Sequence, residues 1–327
     1  MVLREFLEEW ERDNPYIQVK TSGSTGRPKP MQVEKRRMLA SARATCDFLR
    51  LQAGDTALLC MSLDYIAGKM MVVRALERNL RLISTKATGR PLQDDTLFAH
   101  ERQIDLAAMV PLQVYNSLRH PQERHRLMQI RHLLIGGGAV DDRLAHELKG
   151  FPHHVWSSYG MTETLSHIAL RPLNGPQASD WYTPFKQVKV SLNEKSCLVI
   201  DAPELCEEQL VTNDIAELSS NGFRIIGRRD NVIDSGGIKI QAEEVERLLQ
   251  PYLRAPFIIT SRPDHKFGEA VVLLTEGVDL AEVRRICMEH LPKYYVPRHI
   301  FYVDNIPMTE TGKPARKLVR QLACGLQ

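Results

Sequence analysis

A run of hydroxyl-bearing side chains and glycines near the start of the chain has the composition of an anion-binding loop. Glycine lets backbone N–H groups approach an anion closely, hydroxyls add donors, and a lysine adds positive charge. These features predict a polyphosphate ligand, although the Gly-x-x-x-x-Gly-Lys-Ser/Thr spacing of a Walker A loop is absent. A plain solvated loop is the alternative. The residues concerned are Thr21, Ser22, Gly23, Ser24, Thr25, Gly26 and Lys29.

A second group of chemically useful side chains follows a predicted strand, in the segment Tyr159-Gly160-Met161-Thr162-Glu163. Open α/β sheets bind ligands at the carboxyl ends of their strands. Carboxylate oxygens are ligands that hard cations take, so Glu163 is a candidate for Mg²⁺. The alternative is a turn whose hydroxyls cap the next helix.

Two later segments combine glycines with charged residues. Gly227-Arg228-Arg229-Asp230 precedes a Ser-Gly-Gly sequence at 235–237 and the sequence EEVE at 243–246. Near the C-terminus, Lys313 follows a glycine and precedes a proline. A lysine in such a loop is more often simply solvated, so neither segment predicts a function when taken alone.

Composition limits the classes of protein that these segments can belong to. The 327 residues are 43% hydrophobic and 25% charged, with a net charge of +3. Such a chain forms a core, and its charge is too small to predict binding to nucleic acid or a membrane surface. The six cysteines form no C-x-x-C pair, which argues against a zinc ribbon and favours free thiols. No signal peptide or spanning segment is recognisable, so we expect a cytoplasmic protein.

Alternating strands and helices in the first half predict an α/β fold with a mostly parallel sheet flanked by helices. The predicted strands are 17–20, 56–61, 80–84, 106–110, 133–135 and 155–158, and the predicted helices are 3–12, 34–51, 66–76, 112–119 and 141–149. Short strands follow at 187–192, 197–200, 209–212 and 223–226. The last part, with strands at 257–260, 270–274 and 300–303 and helices at 243–249 and 278–290, predicts a small α+β domain. We place the domains at 1–229 and 230–327.

Taken in this order, the four segments resemble the adenylate-forming superfamily of acyl- and aryl-CoA ligases, peptide-synthetase adenylation domains and luciferases. TSGSTGRPK is similar to its phosphate loop, and YGMTE to its adenine and Mg²⁺ motif. GRRDNVIDSGG with EEVE is similar to its hinge and the helix that follows, and the Lys313 segment to its catalytic lysine loop. The resemblance extends from about residue 17 to about residue 320.

The resemblance implies a nucleotide site and a catalytic role for several residues. Residues 21–29 would hold the β- and γ-phosphates of ATP. The ribose hydroxyls would bind Asp214, beside Arg228, and Asp230 would be the hinge of a C-terminal domain that turns between two half-reactions. Thr162 would donate to the α-phosphate, Glu163 would bind Mg²⁺, and Lys313 would bridge the substrate carboxylate and the α-phosphate. The adenine would be flanked by Gly136, Gly137, Gly138, Ala139 and the segment Tyr159, Gly160, Met161.

Within the superfamily, the Ser-Gly-Gly form at 235–237 is similar to 2-succinylbenzoate–CoA ligases of menaquinone biosynthesis and to some benzoate ligases. The sequence YGMTETLSHIAL at 159–170 is also similar to the 2-succinylbenzoate–CoA ligases. That resemblance implies the reaction of 2-succinylbenzoate, ATP and CoA to the CoA thioester, AMP and diphosphate. The substrate's second carboxylate needs a charge-assisted donor. Candidates for that donor are Lys69, Ser166 and His167. The candidates for the CoA and acyl pocket are these three residues together with Tyr65, Gly236 and Gly237. Two of them have structural alternatives, a helix-surface lysine for Lys69 and a satisfied buried histidine for His167.

Four further expectations accompany this resemblance. Another aryl- or acyl-CoA ligase, or an enzyme that loads a carrier protein, is the alternative activity, and a degenerate nucleotide-binding protein is the alternative class. Only 20 residues precede the phosphate loop, fewer than in most members of the superfamily, which predicts a shortened first subdomain. A homodimer would cover the apolar surface that such a shortening leaves.

Overall fold

A computed structural model of the chain describes residues 1–20, 30–95, 98, 103–309 and 313–326. Its centre is a seven-stranded sheet with the strand order β4-β3-β5-β6-β7-β8-β9, in which the pairings from β4 to β7 are parallel. The strands are β3 (Thr56–Leu59), β4 (Arg81–Ser84), β5 (Ile104–Met109), β6 (Ile130–Ile135), β7 (His154–Gly160), β8 (His167–Pro172) and β9 (Thr183–Pro184). The predicted α/β class is therefore confirmed.

Helices cover both faces of this sheet, which explains why β3 is buried throughout and shows no alternation of apolar and polar residues. Ala57 and Leu59 of β3 belong to one core cluster, while Leu58 between them belongs to the other. The first cluster includes α1 (Leu3–Glu11), α2 (Lys35–Leu49) and α3 (Ile66–Arg78), and the second includes α4 (Pro111–Leu118), α5 (Pro121–Met128) and α6 (Asp142–Leu148). A hairpin of β1 (Tyr16–Lys20) and β2 (Pro30–Glu34) lies beside α1 and brackets residues 21–29.

The antiparallel end of the sheet differs from the sequence prediction. The strand expected at 155–158 continues to Gly160, because Tyr159 pairs with Ala169 and Gly160 with His167 on β8. A short 3₁₀ helix at Thr162–Thr164 makes the reversal. The reversal therefore leads into a strand, and no α-helix follows there.

A four-stranded antiparallel meander packs onto the first core cluster. Its strands are β10 (Lys189–Leu192), β11 (Cys197–Asp201), β12 (Leu210–Ser219) and β13 (Gly222–Arg228). The sequence predicted only residues 209–212 for β12, yet the strand has ten residues because it pairs with both neighbours. Its second half is polar and exposed at Glu217 and Ser219, which hides the strand from a search for apolar runs.

The chain after Val232 forms a separate sheet with its own two apolar clusters. Its strands are β14 (Val232–Ser235), β15 (Ile238–Gln241), β16 (Phe257–Asp264), β17 (Gly268–Thr275) and β18 (His299–Tyr302), and its helices are α7 (Ala242–Leu249), α8 (Leu280–His290) and α9 (Arg316–Gly325). The hairpin β14–β15 was not predicted, although its two-residue turn is Gly236-Gly237 with φ +64° and +82°, the conformation that two-residue hairpin turns favour. No helix in the described part of the chain is long and apolar enough to span a bilayer.

Gly222 joins the meander to the large sheet through a backbone contact that excludes a side chain. Tyr182 and Phe223 exchange backbone hydrogen bonds of 2.7 and 3.1 Å. A Cβ atom on Gly222 would lie 2.0 Å from the carbonyl oxygen of Tyr182. Any larger residue must therefore push the two sheets apart.

We expect Gly222→Ala to lower the free energy of unfolding by about 1–3 kcal/mol, the usual cost of overpacking. Chemical denaturation monitored by circular dichroism measures the change. Gly150→Ala is the matched control, because a Cβ there meets no atom within 4 Å; its effect should stay within about 0.5 kcal/mol. Equal effects of the two substitutions would contradict the contact described.

Candidate functional site

Asp214 is the centre of a polar cluster where the large sheet meets the meander. The Tyr159 hydroxyl at the end of β7 donates to Asp214 Oδ2 at 2.6 Å. The Arg228 guanidinium at the end of β13 donates to Asp214 Oδ1 at 3.2 Å. Each carboxylate oxygen thus keeps a lone pair for a ligand hydroxyl.

Tyr159 is held in place by aromatic packing and by burial. Its ring packs edge-on against Phe223, with centroids 5.1 Å apart, and tilts against Tyr182 at 5.7 Å. Burial raises the pKa of Tyr159 well above its usual range, and the neighbouring Asp214 carboxylate raises it further. The hydroxyl therefore stays protonated and remains a donor.

The backbone beside Asp214 is fixed by the hydroxyl of Thr212. That hydroxyl donates to Leu198 O at 2.8 Å and accepts the Asp214 N–H at 3.1 Å. The register of β12 against β13 shifts between Ile215 and Ala216. This bulge beside the site follows the common use of bulges to aim a side chain.

A glycine-rich turn leaves β6 beside the same end of β7. A Cβ on Gly136 would lie 2.3 Å from Ser158 Oγ, and Gly137 has φ +75°. The positive φ of Gly137 therefore favours glycine, and the absence of a side chain on Gly136 leaves room for the Ser158 hydroxyl where it stands. The segment Gly136-Gly137-Gly138-Ala139 thus follows the carboxyl end of a strand, the end at which sheets of this class bind ligands.

The 3₁₀ helix after β7 places the hydroxyl of Thr162 in the interior and the carboxylate of Glu163 on the surface. Thr162 is buried, whereas Glu163 is exposed and has no cation within ion-pair distance among the described residues. The Thr164 hydroxyl accepts from Met161 N and donates to the carbonyl oxygens of Met161 or Ser166. The hydroxyl capping considered for this segment is therefore made inside the turn by Thr164.

Lys313 comes from the second sheet unit and lies beside the Asp214 cluster. Burial lowers the pKa of Lys313, the positive charge of Arg228 lowers it further, and Asp214 opposes both effects. Two hydrogen bonds tie Lys313 to Thr309: the Lys313 N–H donates to Thr309 Oγ1 at 3.1 Å, and the Lys313 carbonyl accepts the Thr309 N–H at 2.7 Å. The structure thus brings Lys313, Arg228 and Asp214 together.

Asp230 and Gln241 lie where the meander meets the second sheet unit. The Asp230 carboxylate accepts from Asn213 Nδ2 at 3.2 Å and lies 3.6 Å from the Arg228 guanidinium. Gln241 Nε2 donates to the carbonyl oxygen of Arg228 at 3.0 Å. A Cβ on Gly227 would lie 2.3 Å from Gln241 Nε2, so only glycine leaves room for this amide.

The predicted phosphate-binding residues Thr21, Ser22, Gly23, Ser24, Thr25, Gly26 and Lys29 lie outside the described residues. Their assignment stays a prediction, as do the catalytic and nucleotide-binding roles of the described residues and the domain boundary at 229/230. The structure shows that the Gly136–Ala139 turn and the Tyr159–Glu163 segment lie at the carboxyl ends of the neighbouring strands β6 and β7.

The residues proposed for the CoA and acyl pocket occupy three different places. Lys69 is buried against the N-terminal elements, where Nζ donates to Gln18 O at 2.7 Å and lies 3.9 Å from Glu9 Oε2. Tyr65 precedes α3 and is 37% exposed. Gly236 and Gly237 form the turn of the β14–β15 hairpin. Their roles in the pocket stay predictions.

Ser166 and His167 meet an arginine that sequence reasoning missed. Arg74 on α3 is 2% exposed, and its guanidinium donates to Ser166 Oγ. Burial lowers the pKa of Arg74 to about 10, and its Nε has no hydrogen-bond partner. The available signal was a lone charge within the apolar run Met70-Met71-Val72-Val73-Arg74-Ala75-Leu76.

Comparisons with known proteins agree on one family. The family model described as AMP-binding enzyme matches residues 5–205. An acyl-CoA synthetase (AMP-forming)/AMP-acid ligase II-like protein from Dyadobacter fermentans is 34% identical, with TM-score 0.66, and the match covers 97% of this chain and 92% of that one. A 2-succinylbenzoate–CoA ligase of Listeria monocytogenes is 24% identical over 97% of this chain and 72% of its own length. The O-succinylbenzoate coenzyme A synthetase of Bacillus subtilis in complex with ATP and magnesium ion shares the fold, with TM-score 0.76 at 22% identity, and the match covers 92% of this chain and 69% of that one.

The electrostatic coupling at Lys313 predicts opposite effects of two substitutions. Arg228→Gln removes a neighbouring positive charge, so the pKa of Lys313 should rise and its amine should react more slowly at a fixed, mildly alkaline pH. Asp214→Asn removes the opposing carboxylate, so the pKa should fall further and labelling should accelerate. Amine acylation followed by peptide mass spectrometry measures both rates, with the exposed Lys317 as internal reference. Changes of the same sign would contradict the coupling.

Proposed function

Since this chain belongs to the family of AMP-binding enzymes and is an AMP-forming acid–CoA ligase, we propose that its acid is 2-succinylbenzoate. The products would be the CoA thioester, AMP and diphosphate, and the reaction would belong to menaquinone biosynthesis. The names of curated relatives support this substrate at 24–27% identity. We also propose that the protein is cytoplasmic and forms a homodimer.

The observation that carries the proposal is the buried, unpaired cation Arg74. No carboxylate of the described residues lies within ion-pair distance of its guanidinium, and its Nε lacks any partner. A buried charge without a partner is strongly unfavourable. A ligand carboxylate would supply the missing charge and the missing acceptor. An acid with a second carboxylate therefore suits this buried cation better than a monocarboxylic acid.

Ser166 connects Arg74 to the part of the site where the substrate would react. Ser166 follows Thr162 by four positions, so the Arg74–Ser166 contact lies on the turn that begins with the donor proposed for the α-phosphate. One carboxylate of the acid would meet the α-phosphate at Thr162, and the other would reach Arg74. The two ends of the acid are thereby distinguished.

Binding of ATP uses the cluster around Asp214. The Asp214 oxygens would accept the ribose hydroxyls, while Tyr159 and Arg228 hold the carboxylate in place. The adenine would lie between the ring of Tyr159 and the Gly136–Ala139 turn. Residues 21–29 would bind the β- and γ-phosphates.

Adenylation needs positive charge more than it needs a protein nucleophile. An oxygen of the substrate carboxylate attacks the α-phosphorus, the bond to the bridging oxygen breaks, and diphosphate leaves. Lys313 would bridge the attacking carboxylate and the α-phosphate, and Thr162 would donate to that phosphate. Glu163 is an exposed oxygen donor without a cationic partner among the described residues, which suits Mg²⁺; when bound, the ion would neutralise phosphate charge.

Thioester formation requires a thiol where Lys313 stands during adenylation. The CoA sulfur attacks the acyl carbon, and the bond to the phosphate oxygen breaks, releasing AMP. Rotation of the C-terminal unit about Asp230 would withdraw Lys313 and admit the thiol. The contacts of Asp230 with Asn213 and Arg228, and that of Gln241 with the Arg228 carbonyl, are among those that this rotation would break.

Replacing Arg74 should separate dicarboxylic from monocarboxylic substrates. We expect Arg74→Gln to lower kcat/KM for 2-succinylbenzoate by about 30- to 100-fold, the value of a charge-assisted hydrogen bond, and to leave benzoate within about twofold. Diphosphate release with ATP, Mg²⁺ and CoA measures both.

Arg126→Gln is the matched control, because Arg126 is also buried but bonds Leu92 O and Asp95 within another part of the fold. Equal loss with both acids in Arg74→Gln would sink the carboxylate role. Activity of the wild type with a different acid would keep the ligase mechanism and discard 2-succinylbenzoate. Silence with every acid despite ATP binding would favour the degenerate nucleotide-binding protein.

Lys313→Ala should affect only the first half-reaction. We expect a loss of about 100- to 1,000-fold in diphosphate release, typical of removing one transition-state donor. Thioester formation from a supplied acyl-adenylate should change little, because Lys313 takes no part in it. A parallel loss in both assays would contradict the assigned role.

A further inference from the structure

A chain of polar groups crosses the apolar contact between α2, α3 and β8. It runs from the Ser41 carbonyl through the side chains of Thr45, His167 and Ser166 to Arg74. The Thr45, His167 and Arg74 side chains are buried among residues of the first core cluster. His167 also packs edge-on against the ring of Phe185 at 5.6 Å, which fixes the plane of its imidazole.

Only one placement of the protons satisfies all contacts of this chain. The Thr45 hydroxyl donates its proton to Ser41 O at 3.2 Å, so at its 3.0 Å contact with His167 it must accept from Nε2–H. His167 is neutral, since burial and the charge of Arg74 hold its pKa well below the usual range. Its Nδ1 therefore carries no proton and accepts from the Ser166 hydroxyl at 3.3 Å.

This direction of the hydrogen bonds determines what Ser166 can offer to Arg74. With its proton directed at His167, Ser166 Oγ presents only lone pairs to the guanidinium, which has only donors. If His167 carried its proton on Nδ1, the hydroxyl proton of Ser166 would have to point elsewhere, and Arg74 offers no acceptor for it. Thr45 thus selects the tautomer that suits the cation.

The backbone at Ser166 is built to hold this arrangement. Leu165 has φ +65° and lies at the centre of a three-residue turn closed by Ser166 N–H donating to Thr164 O at 2.7 Å, a rare and strained conformation. On the other side, a Cβ on Gly160 would lie 2.3 Å from Ser166 O. The turn is therefore confined from two directions, as strained segments at functional sites are.

We propose that Thr45 and His167 are positioning residues for acid selection: they orient Ser166 so that it holds the Arg74 guanidinium ready for the second carboxylate of the substrate. This inference rests on the proposed function. Neither residue touches the substrate in it, because both act through Ser166. The Nε of Arg74 has no hydrogen-bond partner, so these polar groups orient the guanidinium and still leave a donor for the substrate.

Thr45→Val and Thr45→Ser test the proposal as a matched pair. Valine keeps the shape and removes the acceptor for His167 Nε2–H, so kcat/KM for 2-succinylbenzoate should fall about fivefold to tenfold, the value of one neutral hydrogen bond. The loss should lie in KM for the acid, while KM for ATP and the activity with benzoate stay within about twofold. Serine keeps the hydroxyl and should restore the wild-type value. Equal losses with both acids, no loss in Thr45→Val, or no rescue by serine would overturn the proposal.

Spectra of the ¹⁵N-labelled histidines test the same chain without using activity. The wild-type His167 signal, assigned by its absence in His167→Gln, should be that of the neutral tautomer with its proton on Nε2, and Thr45→Val should shift it. A proton on Nδ1, or a doubly protonated ring, would contradict the hydrogen-bond directions described for Thr45, His167 and Ser166. If the wild type proves inactive with 2-succinylbenzoate, the proposed function fails, and the spectra still decide these hydrogen-bond directions.

Discussion

The carboxylate of Asp214 is the interaction on which the arrangement of the site depends. It accepts hydrogen bonds from the Tyr159 hydroxyl of the large sheet and from the Arg228 guanidinium of the meander. Its negative charge offsets the positive charges of Arg228 and Lys313. Without it, two cations would face each other in a partly buried place. One negative charge therefore lies among functional groups from the large sheet, the meander and the second sheet unit. That balance suits a reaction in which charge moves between a carboxylate and phosphates.

Much of the large sheet could be predicted from the sequence, because strands buried on both faces are apolar throughout, as β3 is. The predicted strands and helices up to residue 158 all exist, with ends shifted by a few residues. The failures have physical causes. The second half of β12 is polar on its exposed face, and α5 begins with a proline and charged residues that resemble a loop. The Gly236-Gly237 turn was interpreted only as part of a motif, although it also specifies a hairpin.

The residues of the candidate site that belong to sequence motifs could be predicted. Those whose role depends on tertiary contacts could not. Thr162, Asp214 and Lys313 are assigned by resemblance, but nothing in their spacing indicates that the charge of Arg228 acts on Lys313. Arg74 was missed because a single arginine within an apolar run has no motif. Its meaning depends on β8, which brings Ser166 and His167 to α3 from 92 or more residues away along the chain. Lys69, the cation that was considered instead, lies on the same helix and bonds the N-terminal hairpin.

The missing side chain of Gly227 has a consequence for any ligand that contacts the Arg228 side chain. The gap leaves room for the side-chain amide of Gln241, which donates to the carbonyl oxygen of Arg228, while the Arg228 guanidinium donates to Asp214. A single residue is therefore shared by two equilibria. By thermodynamic reciprocity, a ligand that favours one placement of Arg228 favours one orientation of the second sheet unit by the same free energy, and the orientation returns that bias to the ligand. Coupling of this kind needs no long pathway, since one peptide group serves as the common element.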